Sequence, residues 1–162
     1  MPTGSKPTFC LDSNVFLAGI VPEVTRAPRD DIRGAERLLR ALQRGEIAAV
    51  TSVMALAEIR WVFAREQKPG FEIARATLEE GFAEHLTILL VDADLAINSA
   101  TFRRRYYSKS NPLSHNHGIF PATAVRAAAD ALVTTDPDLL HVSELSVHRP
   151  SAFPAGLRPG RT

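Results

Sequence analysis

The sequence predicts a single α/β domain built on a mostly parallel sheet that helices cover on both faces. Short apolar segments of strand length alternate with longer segments whose apolar residues recur at helical spacing, and this alternation favours a parallel sheet. The 162 residues also suit one domain with one core. We place the domain at residues 1–153. We expect fraying from Pro150 onward and a flexible Pro- and Gly-rich tail at 154–162.

Strands and helices are assigned in chain order from these segments. The predicted strands are residues 7–12, 47–50, 87–91, 131–135 and 145–147. The first predicted helix begins at Asn14, and the later helices cover residues 32–42, 53–67, 71–84, 95–106 and 117–129. Local signals set several boundaries. Gly45 ends the second helix, Ser52 caps the third, Pro69 limits it and Asp94 caps the fifth.

Composition excludes several classes of protein. The net charge of +1 does not indicate nucleic-acid binding through bulk charge. No apolar run approaches the roughly 20 residues that span a bilayer, and the first residues lack the apolar core of a secretory signal. The single Cys10 forms neither an internal disulfide nor a zinc site, so we expect a buried thiol. A cytoplasmic location without a membrane partner is the default expectation.

Two acids stand where an apolar strand ends. Asp12 closes the first strand, and Asp136 follows the strand at 131–135, two residues after Thr134. Each has an ordinary alternative, because Asp12 can cap the next helix and Asp136 with Pro137 can start a turn. In a parallel sheet, however, both strand ends lie at the same edge, where such sheets bind ligands. The two carboxylates are therefore expected to converge.

Glu58 is the most informative acid in the chain. Its neighbours three and four positions away on the predicted helix are all apolar, namely Met54, Ala55, Trp61 and Val62. Residues at these separations share a helix face, so the carboxylate is predicted to point into an apolar stripe toward the sheet or its edge. A buried carboxylate must be paired, protonated or bound to a metal. A salt bridge to a distant Arg is the alternative.

Carboxylates that converge repel one another unless a cation lies between them. A hard divalent ion with oxygen ligands, Mg²⁺ or Mn²⁺, resolves this repulsion and leaves room for a substrate phosphate. Phosphodiester hydrolysis suits such a site, because the metal polarises the phosphoryl oxygen and can supply a hydroxide nucleophile. We therefore predict Asp12, Glu58 and Asp136 as metal ligands and catalytic residues.

Several segments resemble a known family, the PIN domains. Residues 9–16, Phe-Cys-Leu-Asp-Ser-Asn-Val-Phe, resemble its opening strand and turn, and residues 52–58 resemble the segment of its second acid. Residues 122–138 resemble its third segment and final acid, and residues 147–153 its last strand. The resemblance implies a three-layer α/β/α sandwich and a Mg²⁺- or Mn²⁺-dependent endoribonuclease. Many bacterial members are toxins of the VapC kind that a small antitoxin inhibits, and many form homodimers.

The resemblance also implies supporting residues. Asn14 matches the small polar residue after the first acid, where it would orient that acid or a water. Asp138 matches a frequent extra acid just past the last one. We place Thr134, which lies close to Asp136, in the same supporting group.

One position departs from the family pattern. An acid usually opens the helix before the last site strand, and His117 stands there in this chain. The positive end of a helix favours a neutral imidazole, which can ligate a metal or accept a proton. Either His117, with Asn116, completes an altered site, or the site is weakened and activity is lost. We predict the first outcome, so His117 joins the catalytic residues.

The sequence therefore predicts an RNA-cleaving enzyme, the toxin of a bacterial toxin–antitoxin pair. Arg104, in the run Arg103–Arg105 ahead of Tyr106 and Tyr107, is a candidate RNA contact, although such a run also suits a solvated helix end. The alternative is a catalytically weakened PIN-like module that binds RNA or protein. A phosphatase-like domain suits the sequence less, since Asn14 stands where its second Asp would be.

The expected partners are an RNA substrate, a small antitoxin protein and a second copy of the chain. For the homodimer, the apolar helices at 32–42 and 71–82 are candidate interface elements.

Overall fold

The computed structural model describes residues 6–153 and places a five-stranded sheet among six α-helices. The strands are β1 (Thr8–Leu11), β2 (Ala48–Ser52), β3 (Leu86–Leu89), β4 (Ala131–Val133) and β5 (Val147–His148). The α-helices are α1 (Ser13–Ile20), α2 (Arg29–Gln43), α3 (Met54–Arg65), α4 (Phe71–Ala76), α5 (Ala93–Tyr106) and α6 (His115–Arg126). Shorter helical turns lie at Pro22–Val24, Thr77–Gly81, Leu139–His141 and Pro150–Ala152. Every predicted strand and helix is present.

The sheet is parallel throughout the described residues and has the order β3-β2-β1-β4-β5. β1 is central, because Phe9 pairs with Ala49 of β2 on one side and with Ala131 of β4 on the other. The predicted fold class, an α/β/α sandwich with a mostly parallel sheet, is confirmed. The carboxyl ends of β1, β2 and β4 therefore meet at one edge of the sheet.

Alternate residues of β1 face opposite layers of the sandwich. Phe9 and Leu11 belong to the larger core cluster, with apolar residues of α1 to α4. Cys10 belongs to a second cluster on the other face, with Phe120 of α6. The thiol is buried, as predicted, and burial raises the pKa of Cys10.

The structure corrects the starts of two helices on the α5–α6 side. α5 is capped by Asp92 and not by Asp94, because the Asp92 carboxylate accepts the N–H three residues further on at 2.9 Å. α6 begins at His115, two residues before the predicted start. The Ser114 hydroxyl caps it by accepting the N–H of His117 at 3.1 Å. His117 therefore lies within the first turn of α6.

The start of α3 differs in a smaller way. Ser52 is the last residue of β2, and Val53 occupies the N-cap position. The Ser52 hydroxyl still accepts the N–H of Met54 at 3.2 Å. Ser52 therefore does bond the start of α3, as predicted, but it lies one position before the N-cap residue.

The end of the described chain is packed. Pro150 and Phe153 are buried, and the Phe153 ring meets the Phe9 ring edge to face with centroids 5.2 Å apart. The Phe153 carbonyl accepts a hydrogen bond from Arg37 at 3.0 Å. The prediction of fraying from Pro150 is therefore wrong as far as residue 153. The predicted flexible tail at 154–162 lies outside the described residues.

The two helices expected at a dimer interface bury most of their apolar residues inside the domain, with Ile73 exposed. The buried residues are Ala35, Leu38, Leu39 and Leu42 in the first segment, and Ala74, Leu78 and Phe82 in the second. Each belongs to the larger core cluster, so neither apolar face is free for a second chain. Among residues 6–153, no helix combines the length and apolar character needed to cross a membrane.

Candidate active site

Four of the predicted site residues lie together at the carboxyl edge of the sheet. Asp12 follows β1, Asp136 follows β4, Glu58 projects from α3 and His117 lies in the first turn of α6. Short contacts join them, either directly or through the hydroxyl groups of neighbouring residues. The structure therefore gathers into one cluster the residues that the sequence proposed as catalytic.

The Asp12 carboxylate is buried and held by neutral donors. It is 2% exposed, and its Oδ2 accepts the Thr134 hydroxyl at 2.6 Å and the Asn14 side-chain amide at 3.4 Å. It accepts no hydrogen bond from the backbone of α1, so the capping alternative does not explain it. Burial raises the pKa of Asp12, and the hydrogen bond from Thr134 opposes that rise. Such a carboxylate is suited to binding a cation.

Ser13 links Asp12 to Glu58. Its hydroxyl lies against Oε2 of Glu58 and 3.0 Å from Oδ1 of Asp12. A hydroxyl has one proton to donate, so both contacts are hydrogen bonds only when one of the two carboxyls also carries a proton. In agreement, burial and the nearby Asp12 charge raise the pKa of Glu58 to about 7. Glu58 can therefore gain or lose a proton near neutral pH, as general acids and bases must.

The surroundings of Glu58 differ from the predicted buried stripe. Glu58 is half-buried, and Trp61 on the same helix face is 60% exposed. The buried face of α3 lies to one side and consists of Ala55, Ile59 and Phe63. Within residues 6–153, no Lys or Arg forms an ion pair with Glu58, so a salt bridge does not account for its position there.

His117 faces Asp136 across the cluster. Its Nδ1 lies 2.8 Å from Oδ2 of Asp136, a distance typical of an ion pair. Nδ1 is buried, and in the described part of the chain it has no partner that meets hydrogen-bond geometry. Contact with the carboxylate raises the pKa of His117 to about 9, against the opposing effect of burial, so the predicted neutral imidazole is wrong for the metal-free protein near neutral pH. Burial acts to raise the pKa of Asp136, but the contact with His117 outweighs it and lowers that pKa.

The turn after β4 leaves one oxygen of Asp136 free for the site. Its Oδ1 accepts the backbone N–H of Asp138 at 2.9 Å, so the turn alternative holds for that oxygen alone. His117, Asp136 and Asp138 each offer one ligand atom, and these atoms lie within 4.8 Å of one another. One imidazole nitrogen and two carboxylate oxygens form a donor set that fits a divalent metal. Nδ1 of His117, which lies at ion-pair distance from Asp136 but makes no directed hydrogen bond among the described residues, is the atom that such an ion would contact.

The cluster opens into a cavity of about 540 Å³. Asn14, Glu58 and His117 line it, together with the exposed Asn116. It is also lined by apolar and basic residues, among them Leu17, Val24, Met54, Trp61, Arg26 and Arg65. The Arg65 guanidinium lies 4.7 Å from the centre of the Trp61 ring. The acidic cluster therefore adjoins an apolar surface with positive charge.

The predicted RNA-contacting run lies outside this cavity. Arg104 is exposed in the last turn of α5 and does not line the cavity. Tyr106 stacks on Phe102 with centroids 6.3 Å apart, and its hydroxyl accepts the N–H of Ser143 at 3.2 Å. These contacts are those of a solvated helix end, which was the alternative interpretation of the run Arg103–Arg105.

Ser13 is a member of the site that sequence reasoning missed. It directly follows Asp12, and a small hydroxyl residue beside a site acid at a helix start is a usable signal. Its contact with Glu58 spans 45 positions and has no local signature. The apolar and basic lining around Trp61 was also missed, because helical periodicity alone does not separate a core face from a cavity wall.

The family model described as "PIN domain" matches residues 9–145 of the chain. The match covers most of the sequence and includes Asp12, Glu58, His117 and Asp136. The chain therefore belongs to the PIN domain family. No curated protein matches the chain significantly in sequence.

Solved structures of low sequence identity share the fold. FitAcB from Neisseria gonorrhoeae is 18% identical, with a TM-score of 0.62 over 90% of this chain and 99% of that chain. VapC20 from Mycobacterium tuberculosis, described as a sarcin–ricin loop cleaving toxin, is 15% identical, with a TM-score of 0.60 over 85% and 98%. DNA-bound VapBC from Salmonella typhimurium is 22% identical, with a TM-score of 0.56 over 88% and 97%. At these identities the similarity establishes the fold alone.

Proposed function

We propose that this PIN domain is a Mg²⁺- or Mn²⁺-dependent endoribonuclease and the toxin of a bacterial toxin–antitoxin pair. The observation that carries the proposal is the convergence of Asp12, Glu58 and Asp136 with His117 in one cluster, beside a cavity that Glu58 and His117 line. Three acids that gather without any Lys or Arg partner in the described residues favour a metal-dependent reaction on a phosphate. Membership of the family and the name of the VapC20 toxin support RNA as the substrate.

The acids Asp12, Asp136 and Glu58 would hold the metal, with His117 beside them. When bound, the ion would polarise the scissile phosphoryl oxygen and lower the pKa of an attacking water. Asn14 and Thr134 orient Asp12 through the hydrogen bonds that they donate to its Oδ2.

Glu58 is the residue that we assign to proton transfer. Its pKa of about 7 lets it accept a proton from a nucleophile near neutral pH. Ser13 positions it, because the Ser13 hydroxyl contacts both Glu58 and Asp12.

Asn116 stands at the cavity wall, where its exposed amide can contact the substrate. Asp138 supports the site through its backbone bond to Asp136 and its carboxylate. Arg104 lies away from the cavity and has no part in the proposed reaction.

The partners follow from the same family relationship. The similar structures named VapBC and FitAcB motivate the proposal that a small antitoxin protein binds and inhibits this chain. The apolar and basic cavity wall is a surface to which such a protein can dock. We also propose a homodimer acting in the cytoplasm, formed through surfaces other than the buried faces of α2 and α4.

A second candidate function is a catalytically weakened module that binds RNA or protein. The observation that favours it is His117, which occupies the position of a family acid and pairs with Asp136 at 2.8 Å. In that protein the imidazolium would take the place of the metal ion, and no RNA would be cleaved.

The deciding experiment is an RNA-cleavage assay of the purified chain with Mn²⁺ or Mg²⁺. We expect metal-dependent cleavage that Asp12→Asn abolishes, while the exposed control Asp30→Asn cleaves normally. Bound metal should also stabilise the native protein, by ~2.7 kcal/mol at a hundredfold excess over its dissociation constant. Metal-independent thermal stability together with absent cleavage would favour the weakened module.

A further inference from the structure

We propose that His117 supplies a nitrogen ligand in a three-residue metal site with Asp136 and Asp138, and that this ligand makes the protein select Mn²⁺ over Mg²⁺. The proposal rests on the proposed function, since Asp136 belongs both to the acids named there and to this three-residue set. It goes further by naming the ligand atoms and the class of ion that they prefer.

The position of the imidazole is the first argument. Nδ1 of His117 lies 2.8 Å from Oδ2 of Asp136, but it is buried and lacks the geometry of a hydrogen bond. A nitrogen and an oxygen at this separation, with no directed hydrogen bond between them, can both coordinate one metal ion. Buried polar atoms in native proteins are normally satisfied, and an ion between the two would satisfy both.

The rigidity of both ligand-bearing segments is the second argument. The Ser114 hydroxyl caps α6 by accepting the N–H of His117 at 3.1 Å. Gly118 packs so closely on α5 that an added Cβ would lie 2.6 Å from the Ser99 carbonyl oxygen. The His117 backbone is therefore fixed between a cap and a close helix contact.

The turn that carries the two acids is equally constrained. The N–H of Asp138 is bonded to Oδ1 of Asp136, and the N–H of Asp136 is bonded to the Thr134 hydroxyl at 2.9 Å. These bonds leave Oδ2 of Asp136 and the Asp138 carboxylate as the available oxygens. One ligand atom from each of His117, Asp136 and Asp138 lies within 4.8 Å of the other two, a span that one ion can bridge.

The chemistry of the donor set decides the ion. Mg²⁺ prefers oxygen ligands in near-ideal octahedral geometry and binds few protein groups. Imidazole suits first-row transition ions better, and their affinity for mixed nitrogen and oxygen sites rises from Mn²⁺ onward. An acid at position 117 would give an all-oxygen site without this preference. Replacing that acid by His117 therefore changes the selectivity of the site and preserves metal binding.

The test is a comparison of Mn²⁺ and Mg²⁺ binding to the full chain and to two variants, by calorimetry and by pulsed EPR of bound Mn²⁺. His117→Asp restores an all-oxygen site. His115→Ala is the matched control, because that exposed histidine lies one position before Asn116 on the same helix turn. We expect ¹⁴N coupling to Mn²⁺ in the native protein and in His115→Ala, and its loss in His117→Asp. The preference for Mn²⁺ over Mg²⁺ should fall in His117→Asp.

The outcomes separate this inference from the proposed function. If Mn²⁺ binds and supports cleavage but no histidine ¹⁴N coupling is seen, the nitrogen-ligand inference is wrong and the proposed function stands. An unchanged metal preference in His117→Asp leads to the same conclusion. If neither ion binds the native protein, both the inference and the metal-dependent function are wrong. Should His117→Asp fail to fold, ¹⁵N labelling of histidine in the native protein reports the same coupling without a substitution.

Discussion

The hydroxyl of Thr134 donates a hydrogen bond of 2.6 Å to Oδ2 of Asp12, 122 residues earlier in the chain. Thr134 is fully buried and Asp12 is 2% exposed. The same hydroxyl accepts the N–H of Asp136. One threonine therefore joins the end of β1 to the turn after β4, and it fixes two of the site acids relative to each other.

Thr134→Val removes the hydroxyl that makes both hydrogen bonds and keeps a side chain of nearly the same shape. The buried Asp12 carboxylate loses its shortest donor, so we expect a loss of about 1–3 kcal/mol of unfolding free energy and weaker Mn²⁺ binding. Urea unfolding and calorimetry measure the two effects. Thr123→Val is the matched control. That hydroxyl is equally buried and has no hydrogen-bond partner among the described residues, so its loss should be neutral or stabilising. Equal effects of the two substitutions would contradict the assigned role of Thr134.

The buried ion pair between Asp31 and Arg149 stabilises the fold outside the site. Oδ2 of Asp31 accepts Nη1 of Arg149 at 2.6 Å, and Oδ1 accepts the N–H of Ser151 at 3.2 Å. Asp31 is 2% exposed but Arg149 is 36% exposed, so water can solvate the arginine once its partner is removed, and we expect Asp31→Ala to cost about 1.5–3 kcal/mol for the lost hydrogen bonds. Asp30→Ala, at the exposed neighbouring position, should change stability little. Mn²⁺ affinity should be unaltered in both variants, and a large change in it would mean that the ion pair also shapes the site.

Glu58→Gln should stabilise the metal-free protein above neutral pH. The pKa of Glu58 is raised from 4.5 to about 7, so the native state holds a proton that the unfolded state releases in this interval. Stability from this group is therefore present at low pH and is lost as pH rises from about 4.5 to about 7. Gln removes that loss, and we expect a gain on the order of 1–3 kcal/mol at pH 8. Melting curves in EDTA across this range test the sign, with the exposed Glu84→Gln as control. A lower melting temperature for Glu58→Gln at pH 8 would overturn the prediction.

Asp92 should titrate with a pKa of about 2, because the hydrogen bond from Arg126 and the N–H of Leu95 both favour its charged form. Its contribution to stability is present above the unfolded value of 3.8 and is lost as pH falls toward about 2. NMR titration of the Asp92 side chain measures this directly. Asp92→Ala should lower the melting temperature at pH 7 more than Asp94→Ala does, since only Asp92 caps α5. The reverse order would favour the cap position originally predicted from the sequence.

The sequence predicted the fold well because strand and helix periods differ sharply and the strands alternate with the helices. The convergence of Asp12 and Asp136 was predictable from topology alone, since parallel neighbours end at one edge. The contacts that support these two acids were harder to predict from the sequence. The link through Thr134 depends on strand order, and a strand order of β3-β2-β1-β4-β5 cannot be read from local patterns.

Other features escaped prediction for identifiable physical reasons. The spacing of Trp61 on α3 predicts a core residue. In the structure its side chain is exposed and lines the cavity. Asp92 and Asp94 are equally good caps by residue type, and only the hydrogen bond to Leu95 selects between them. The Pro-rich ending suggested disorder, yet the packing of Phe153 on Phe9 is a long-range contact without a local signal.

The central place of β1 in the sheet also sets the order in which a newly made chain acquires its site. A chain that has been synthesised only as far as residue 116 already carries Asp12 and Glu58, but it lacks His117, Thr134 and Asp136. Pairing of Phe9 with Ala131 must then close a long loop, which adds an entropic cost before the edge of the sheet is complete. Under the proposed function, a growing chain therefore has no complete nuclease site until β4 has emerged and paired with β1.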